Sequence, residues 1–422
     1  MDASMLKYLF QLNQERFIDS GAISKMQSKL LEKVIESART TTYYGEILQN
    51  IPKNDFALED LPVIGKDDVR RDQSLFIKKG YSKKDLIEVK TSGSTGKPTK
   101  FYLDRPAYSY REALRFFLTL EAGRSPFDVF TWFRSHGSPP VPKYYSNLGL
   151  YNCLILYMTT DEEKNLEHAR KYKSTIFGGY PSSLQALAHT NNQLKDPLKL
   201  KYVFSGAELL SPAARKFISD SFSCPVFNAY ACWEFGPVAF ECPEEHNLHL
   251  NSGACHLEVL NKKGKPKKSG TGELVISGLQ NTAMPLLRYR IGDRGSLGRP
   301  CSCGRSHQVI KSLQGRSDDW IVLPSGRVRP PFSMNVGVQT EVIGGTWSHQ
   351  LVQEKPDLFV FRYVPIKNSL SEESKSELQH IIQTACLGEH VSVEFEEVDS
   401  ISSGESGKIQ RIISKVKPPN RF

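Results

Sequence analysis

The run Thr91-Ser-Gly-Ser-Thr-Gly-Lys-Pro-Thr-Lys100 has the residue types needed to hold a triphosphate. Ser92, Ser94 and Thr95 offer hydroxyls, Gly93 and Gly96 let backbone N–H groups approach an anion, and Lys97 and Lys100 add positive charge. Leu86 to Lys90 before it and Lys100 to Leu103 after it read as strands. Strand, loop, strand is not the strand, loop, helix of a Walker loop, and the G-x-x-x-x-G-K-[ST] spacing is absent. The purpose is shared all the same: oriented backbone donors and a lysine around phosphate oxygens. The competing reading is an ordinary hydrophilic hairpin, because Ser, Gly and Thr also gather in turns.

Further along stand four more segments with chemistry. Ser205-Gly-Ala-Glu208 follows a strand-like Lys201 to Phe204, at the kind of strand end where doubly wound sheets collect ligands. Tyr230-Ala-Cys-Trp-Glu-Phe-Gly236 puts a phenol and a carboxylate a few residues apart. Tyr289-Arg-Ile-Gly-Asp293 sets a carboxylate after a tight glycine, suited to a ribose diol, and Gly315-Arg-Ser-Asp-Asp319 sits in a turn-rich stretch. Singly, Glu234 or Asp293 reads as a surface or capping residue. It is their order along the chain that carries meaning.

The elements that must position them are legible in outline. Residues 21 to 40 repeat apolar side chains at helical spacing, and Asp104 before Pro106 has the start signature of a helix running to Leu120. Strand-like and helical runs then alternate: Ser174 to Phe177, Pro181 to Ala188, Lys201 to Phe204, Ser211 to Ser221. That alternation predicts α/β layering, with sheets covered by helices. Tyr151 to Met158 reads as a buried strand, and residues 254 to 276 as paired strands. The tail reads as a small α+β unit: strand Leu358 to Val364, helix Ser371 to Leu387, strand Val391 to Phe395. It ends in a glycine-rich loop with Lys408. The expected division is a large domain over 1–315 and a small one over 316–422.

Composition bounds the function classes. A chain of 422 residues exceeds one hydrophobic core, and 39% hydrophobic with 24% charged residues is ordinary for a globular protein. No apolar run approaches the roughly 20 residues of a membrane span, and the N-terminus lacks signal-peptide features; the expectation is a soluble cytoplasmic protein with no membrane partner. The net charge of +9 is spread along the chain except at Lys262 to Lys268, which reads as a solvated hairpin loop. Positive charge of this kind suits anionic small molecules, and no nucleic-acid partner is expected. No G-x-S-x-G elbow surrounds a serine, so no hydrolase triad is expected. His136, Tyr180 and Trp132 are candidates to line a substrate cavity.

In combination these segments resemble the adenylate-forming superfamily of AMP-forming acyl ligases, and within it the phenylacetate–coenzyme A ligase-like and capsule-biosynthesis branch. The likeness runs from about residue 60 to Lys408, through the phosphate loop, the Y-x-x-x-E segment, Thr271-Gly-Glu-Leu274, Y-R-x-G-D, the G-R-S-D-D hinge and the C-terminal lysine. The resemblance implies that family's fold, with a large N-terminal domain and a small mobile C-terminal one. It implies that Ser92, Gly93, Ser94, Thr95, Gly96 and Lys97 handle the β- and γ-phosphates. Ser205, Gly206, Ala207, Glu208 and Tyr230 would border the adenine, Glu234 would ligate Mg²⁺, Asp293 would hold the ribose hydroxyls, and Arg316 would approach the nucleotide. Asp318 would be the hinge, and Lys408 would touch the carboxylate and α-phosphate. Attack of a carboxylate on an α-phosphate brings two anions together, so cationic groups must stabilise the transition state.

The implied activity is ATP-dependent conversion of a carboxylic acid, aromatic by default, to an acyl-adenylate and then transfer to an acceptor, by default coenzyme A. Departures leave the acceptor open. After Asp319 the chain reads Trp320-Ile-Val-Leu-Pro-Ser-Gly-Arg-Val328, as in capsule-biosynthesis and deazaflavin-adenylylating relatives, so an amine, hydroxyl or carrier-protein thiol is the alternative. A reading of another class is a non-catalytic, zinc-bearing binding protein. The resemblance also suggests a homodimer.

The cysteines add a metal. Eight of them in a cytoplasmic chain of this size do not form a disulfide framework. Cys242-Pro-Glu-Glu-His246 and Cys301-Ser-Cys303 supply the Cys₃His composition of a structural zinc site, with His249 and His307 as rival ligands. Cys153, Cys224, Cys232, Cys255 and Cys386 read as small core residues.

Overall fold

The structure is a computed structural model that describes residues 3–49, 51, 56–90, 99–134, 141–143, 149–158, 161–261, 263–267, 270–316, 321–329, 346–365, 368–401 and 411–416. The chain gathers into two compact units, the first formed by residues 1–127, 145–151 and 227–313, the second by 128–144, 152–226 and 314–422.

In the first unit, seven strands follow one another in the order Cys255–Leu260, Thr271–Gly278, Tyr289–Leu297, Val309–Arg316, Leu248–Leu250, Gly236–Glu241 and Val226–Cys232. The expected pair over 254–276 is an antiparallel hairpin, Cys255 opposite Gly278 and Leu260 opposite Glu273, with Lys263, Lys265 and Lys267 between its strands. The helix Arg105–Glu121 begins as its sequence dictates: Asp104 Oδ1 accepts the Ala107 N–H at 2.8 Å and Pro106 occupies the first turn. The long helix Ser20–Ala38 matches the periodic stretch. Its Val34, Ile35 and Ala38 join Tyr44, Phe76, Phe101, Leu287 and Tyr289 in a buried core. Ile87–Lys90 and Lys100–Leu103 pair antiparallel with Lys90 opposite Lys100, which is the strand-loop-strand frame read from the sequence. Residues 91–98, with Ser92 to Lys97, lie outside the described residues.

The second unit has a parallel sheet in the order Tyr202–Gly206, Ile176–Gly179, Phe130–Arg134, Cys153–Tyr157, joined at the last by antiparallel Val141–Lys143. The helices Glu162–Lys171, Pro181–Asn191 and Pro212–Phe222 alternate with its strands, as the α/β pattern predicts, and Leu166, Leu184, Leu187, Ile218 and Phe222 pack with Phe133 and Phe177. Gly178 is required here, since a Cβ would lie 2.4 Å from the Trp132 ring and 2.5 Å from that of Phe130.

The same unit contains the α+β tail. Ser392–Glu397, Leu358–Pro365, Thr346–Lys355 and Ile412–Ser414 form a four-stranded mixed sheet. The helix Glu372–Ala385, capped by Ser371, packs on it through Leu378 and Ile382 against Phe359 and Phe361. Asp318 and Lys408 lie outside the described residues. Arg316 ends the strand Val309–Arg316, and its side chain is likewise outside them.

Candidate functional site

Two motifs of the first unit interlock. Tyr230, on strand Val226–Cys232, donates its hydroxyl to Asp293 Oδ2 at 2.6 Å. Tyr289, at the start of strand Tyr289–Leu297, donates to Glu234 Oε1 at 3.1 Å. The first residue of each motif thus binds the acid that closes the other. Three strands separate the two in hydrogen-bonding order, so this bonding requires the sheet to curl. Burial, then the charge of Asp293, pushes the Tyr230 phenol well up, which keeps it a donor. Tyr289 sits deep in the core, edge-on to Phe101 and Phe235, so its hydroxyl is a fixed point for Glu234. The second carboxylate oxygen of Glu234 has no hydrogen-bond donor among the described residues, and a carboxylate oxygen is a hard donor of the type Mg²⁺ takes.

Glu234 lines a cleft with Arg111, Phe235, Gln280 and Asn281 over apolar Leu103, Met284 and Leu286. The other nucleotide candidates stand in the second unit. Ser205 is fully buried on strand Tyr202–Gly206, Ala207 takes a left-handed φ of 68°, and Glu208 accepts from the Ser182 backbone N–H at 3.1 Å and hydroxyl at 3.0 Å. Glu208 therefore caps the helix Pro181–Asn191 and fixes the turn after the strand.

The thiols form a second centre. One ligand atom each from Cys242, His249, Cys301 and Cys303 lies within 4.8 Å of all the others. Cys242 Sγ and Cys301 Sγ are 3.8 Å apart, and Cys303 Sγ and His249 Nε2 3.4 Å. Bond lengths of about 2.3 Å to sulfur and about 2.0–2.1 Å to nitrogen in a tetrahedral zinc site put ligand atoms roughly 3.5–3.8 Å apart; the sulfur pair matches this and the sulfur–nitrogen pair falls just short of it. His249, not His246, completes the set. His246 takes a left-handed φ of 54° in the turn its N–H closes with the Cys242 carbonyl, and its side chain is 51% exposed, 3.6 Å from Glu241. His249 instead faces inward from the strand Leu248–Leu250, where burial, then the charge of Arg305, pushes it down to about 4 and keeps the imidazole neutral, as a ligand must be. Burial raises the Cys303 thiol; at Cys301 burial is outweighed by hydrogen bonds from the Asn247 side chain and the Cys303 backbone, which lower it. His307 is committed elsewhere, to Ser252 and to the Glu15 carbonyl.

A family model described as "AMP-binding enzyme" matches residues 148–284, a span that holds Glu234 and Tyr230. The chain is 25% identical to Protein CapK of Staphylococcus aureus over 97% of its own length and 90% of that protein's. It is 30% identical to the phenylacetate-coenzyme A ligase of Thermus thermophilus over 66% of each chain. The chain belongs to the AMP-binding enzyme family. Its fold is that of the adenylate-forming enzymes. A crystal structure of 2-hydroxyisobutyryl-CoA ligase in the postadenylation state superposes with a TM-score of 0.80 over 96% of this chain and 92% of that one, at 18% identity.

In this AMP-binding enzyme the candidates Tyr230, Glu234 and Asp293 are held by partners that the sequence alone does not reveal. In the sequence Tyr289 is marked only as the first residue of Y-R-x-G-D, and Arg111 carries no signal, being one arginine in an amphipathic helix. Among the described helices, none is long and apolar enough to cross a membrane.

Proposed function

We propose that this enzyme activates a small carboxylic acid with ATP and passes the acyl group to a thiol, that of coenzyme A in the first instance, with an aromatic acid as the default substrate. In the first half-reaction a carboxylate oxygen bonds to the α-phosphorus and the bond to pyrophosphate breaks. In the second, the acceptor sulfur bonds to the acyl carbon, its proton leaves to a base, and AMP departs. The observation that carries this reading is the crossed pair: Tyr230 with Asp293 and Tyr289 with Glu234 tie together two acid-bearing motifs from distant segments.

In this reading Asp293, held by Tyr230, takes the ribose diol, and Ser205, Gly206, Ala207, Glu208 and Tyr230 take the adenine role that the resemblance implies. Glu234 would hold Mg²⁺, which when bound neutralises phosphate charge. Ser92 to Lys97 take the β- and γ-phosphates, Arg316 approaches the nucleotide, and Lys408 meets the carboxylate and α-phosphate. The division at 315/316, with Asp318 as hinge, lets the small domain exchange its face between half-reactions. Cys242, His249, Cys301 and Cys303 would hold a zinc ion whose role is structural, because four protein ligands leave no open position for substrate. The setting is the cytoplasm.

A second acceptor class has one observation in its favour: CapK matches along nearly its whole length, the coenzyme A ligase along two thirds. An amine, hydroxyl or carrier-protein thiol is the alternative. Pyrophosphate exchange against a panel of acids, then AMP release against a panel of acceptors, tests both. Exchange with no acid rejects the activation step; exchange without acceleration of AMP release by coenzyme A rejects the thioester.

A further inference from the structure

Arg111 is an expensive residue in an odd place. It lies on the inner face of the helix Arg105–Glu121 and is 4% exposed, yet among the described residues it makes no ion pair. Its Nη1 donates to the Trp233 carbonyl at 2.8 Å, while its Nε is buried with no hydrogen-bond partner among the described residues. Burial pushes the guanidinium down to about 10, the sign of a charge kept under protest. A methionine or leucine would fill the same volume without that desolvation cost, and replacing buried charge by apolar side chains is often neutral or stabilising. Core packing alone therefore does not account for it.

What Arg111 grips is the turn around Glu234. The Trp233 carbonyl precedes that residue, and the guanidinium lies 5.9 Å from the centre of the Trp233 ring. On the other side, Gly236 has a φ of 78°, and a Cβ there would sit 2.9 Å from Arg111 Cγ and 3.0 Å from its Nε. The arginine arm lies flat on the one residue type that admits it. The Glu234 carboxylate attracts the guanidinium, and both line one cleft. The turn from 233 to 236 is thus clamped at both ends by a single side chain from another element.

We propose that Arg111 is a positioning residue that holds the Glu234 carboxylate, and through it the divalent cation accompanying the nucleotide, in the reactive geometry. Tyr289 fixes one carboxylate oxygen from below; Arg111 fixes the backbone from which the carboxylate springs. This rests on the reading of Glu234 as the cation ligand given above. Outer positions of this kind, when changed, weaken metal binding by roughly 10- to 100-fold while the ligand itself stays in place.

The test is the affinity of the full-length protein for ATP with and without Mg²⁺, by titration calorimetry, for wild type, Arg111→Met, Arg111→Lys and Glu234→Gln. Arg111→Met is expected to keep the affinity for metal-free ATP and the melting temperature, and to lose about tenfold or more of the gain that Mg²⁺ brings. Arg111→Lys, which can still reach the carbonyl but cannot lie along Gly236 as a planar fork, is expected to fall between. If Arg111→Met does not fold, Arg111→Lys decides alone: a reduced Mg²⁺ gain supports the clamp and an unchanged one overturns it. An undiminished gain in Arg111→Met, with Glu234→Gln abolishing it, also overturns the clamp while leaving Glu234 as ligand. An undiminished gain in Glu234→Gln sinks the assignment of Glu234 itself.

Discussion

The Tyr230 hydroxyl bonds Asp293 Oδ2 at 2.6 Å although three strands lie between them in the sheet. That bond, with its counterpart from Tyr289 to Glu234, converts two short motifs into one surface. It also gives Tyr230 a duty beyond offering an aromatic face: it fixes the Oδ2 oxygen of Asp293 in place.

Removing that hydroxyl should loosen Asp293 without emptying the site. A hydrogen bond to a charged group contributes about 1.5–3 kcal/mol. Tyr230→Phe is therefore expected to weaken ATP binding by roughly tenfold to a hundredfold, with melting temperature little changed. Equilibrium binding of a fluorescent ATP analogue checks it, and unaltered affinity would show that the bond does not orient Asp293.

Tyr289→Phe tests the other arm. Its ring keeps the contacts with Phe101 and Phe235, so the core should hold while Glu234 loses its anchor. Pyrophosphate exchange is expected to fall by about an order of magnitude, with the Mg²⁺ concentration for half-maximal rate rising, whereas Glu234→Gln should bring exchange close to background. Equal rates for Tyr289→Phe and wild type would remove Tyr289 from the site.

Zinc is the third prediction. Elemental analysis of protein purified without chelator is expected to find close to one zinc per chain, and Cys301→Ser or His249→Ala to lose it while His246→Ala retains it. Chelation should lower the melting temperature of the first unit, because the ion stands in for core at a place built from three segments. Metal retained in His249→Ala but lost in His246→Ala would reverse the ligand assignment made from geometry.

A buried ion pair predicts stability next door. Arg288 Nη2 and Glu258 Oε1 are 3.1 Å apart with side chains 5% and 6% exposed, and the guanidinium also donates to the carbonyls of Glu59 and Leu61. Arg288→Met strands a buried carboxylate and is expected to cost about 3–5 kcal/mol. The double variant with Glu258→Gln should recover much of that loss in denaturant unfolding. A double variant as unstable as the single one would mean that the carbonyl bonds, not the ion pair, carry the effect.

Acid should act on the tail through His349. Burial, then the charge of Arg411, holds this histidine well below its ordinary value, and its ring stacks on Phe361 at 5.5 Å. The unfolded chain binds the proton more readily, so stability is fully present above about pH 6.5 and is lost as the pH falls below it. His349→Gln is expected to flatten that slope in melting curves between about pH 7 and 5. A slope that stays the same assigns the acid sensitivity to other groups.

How far the chain could be read without coordinates differs by level. Alternating runs, the Asp104 cap and the strand-loop-strand frame were legible because period and capping are local. The helix Ala3–Glu15 and the strands Thr346–Lys355 and Phe130–Arg134 were not, because their burial is decided by partners far along the chain. Likewise His246 suited the cysteine spacing better than His249, and only strand Leu248–Leu250, with its fixed inward face, makes the choice.

By itself, then, the order of residues determined which groups are candidates to meet a nucleotide, the hydroxyl and lysine loop, two acids and two tyrosines, and which to meet a metal, three thiols and a choice of histidines. Local spacing settles residue type, hydrogen-bonding capacity and charge. Only the tertiary structure decided which tyrosine serves which acid, which histidine faces the thiols, and that a helix arginine lies along Gly236. Those pairings depend on sheet curvature and on side-chain direction across elements, and both come from packing of segments that no short window of sequence contains.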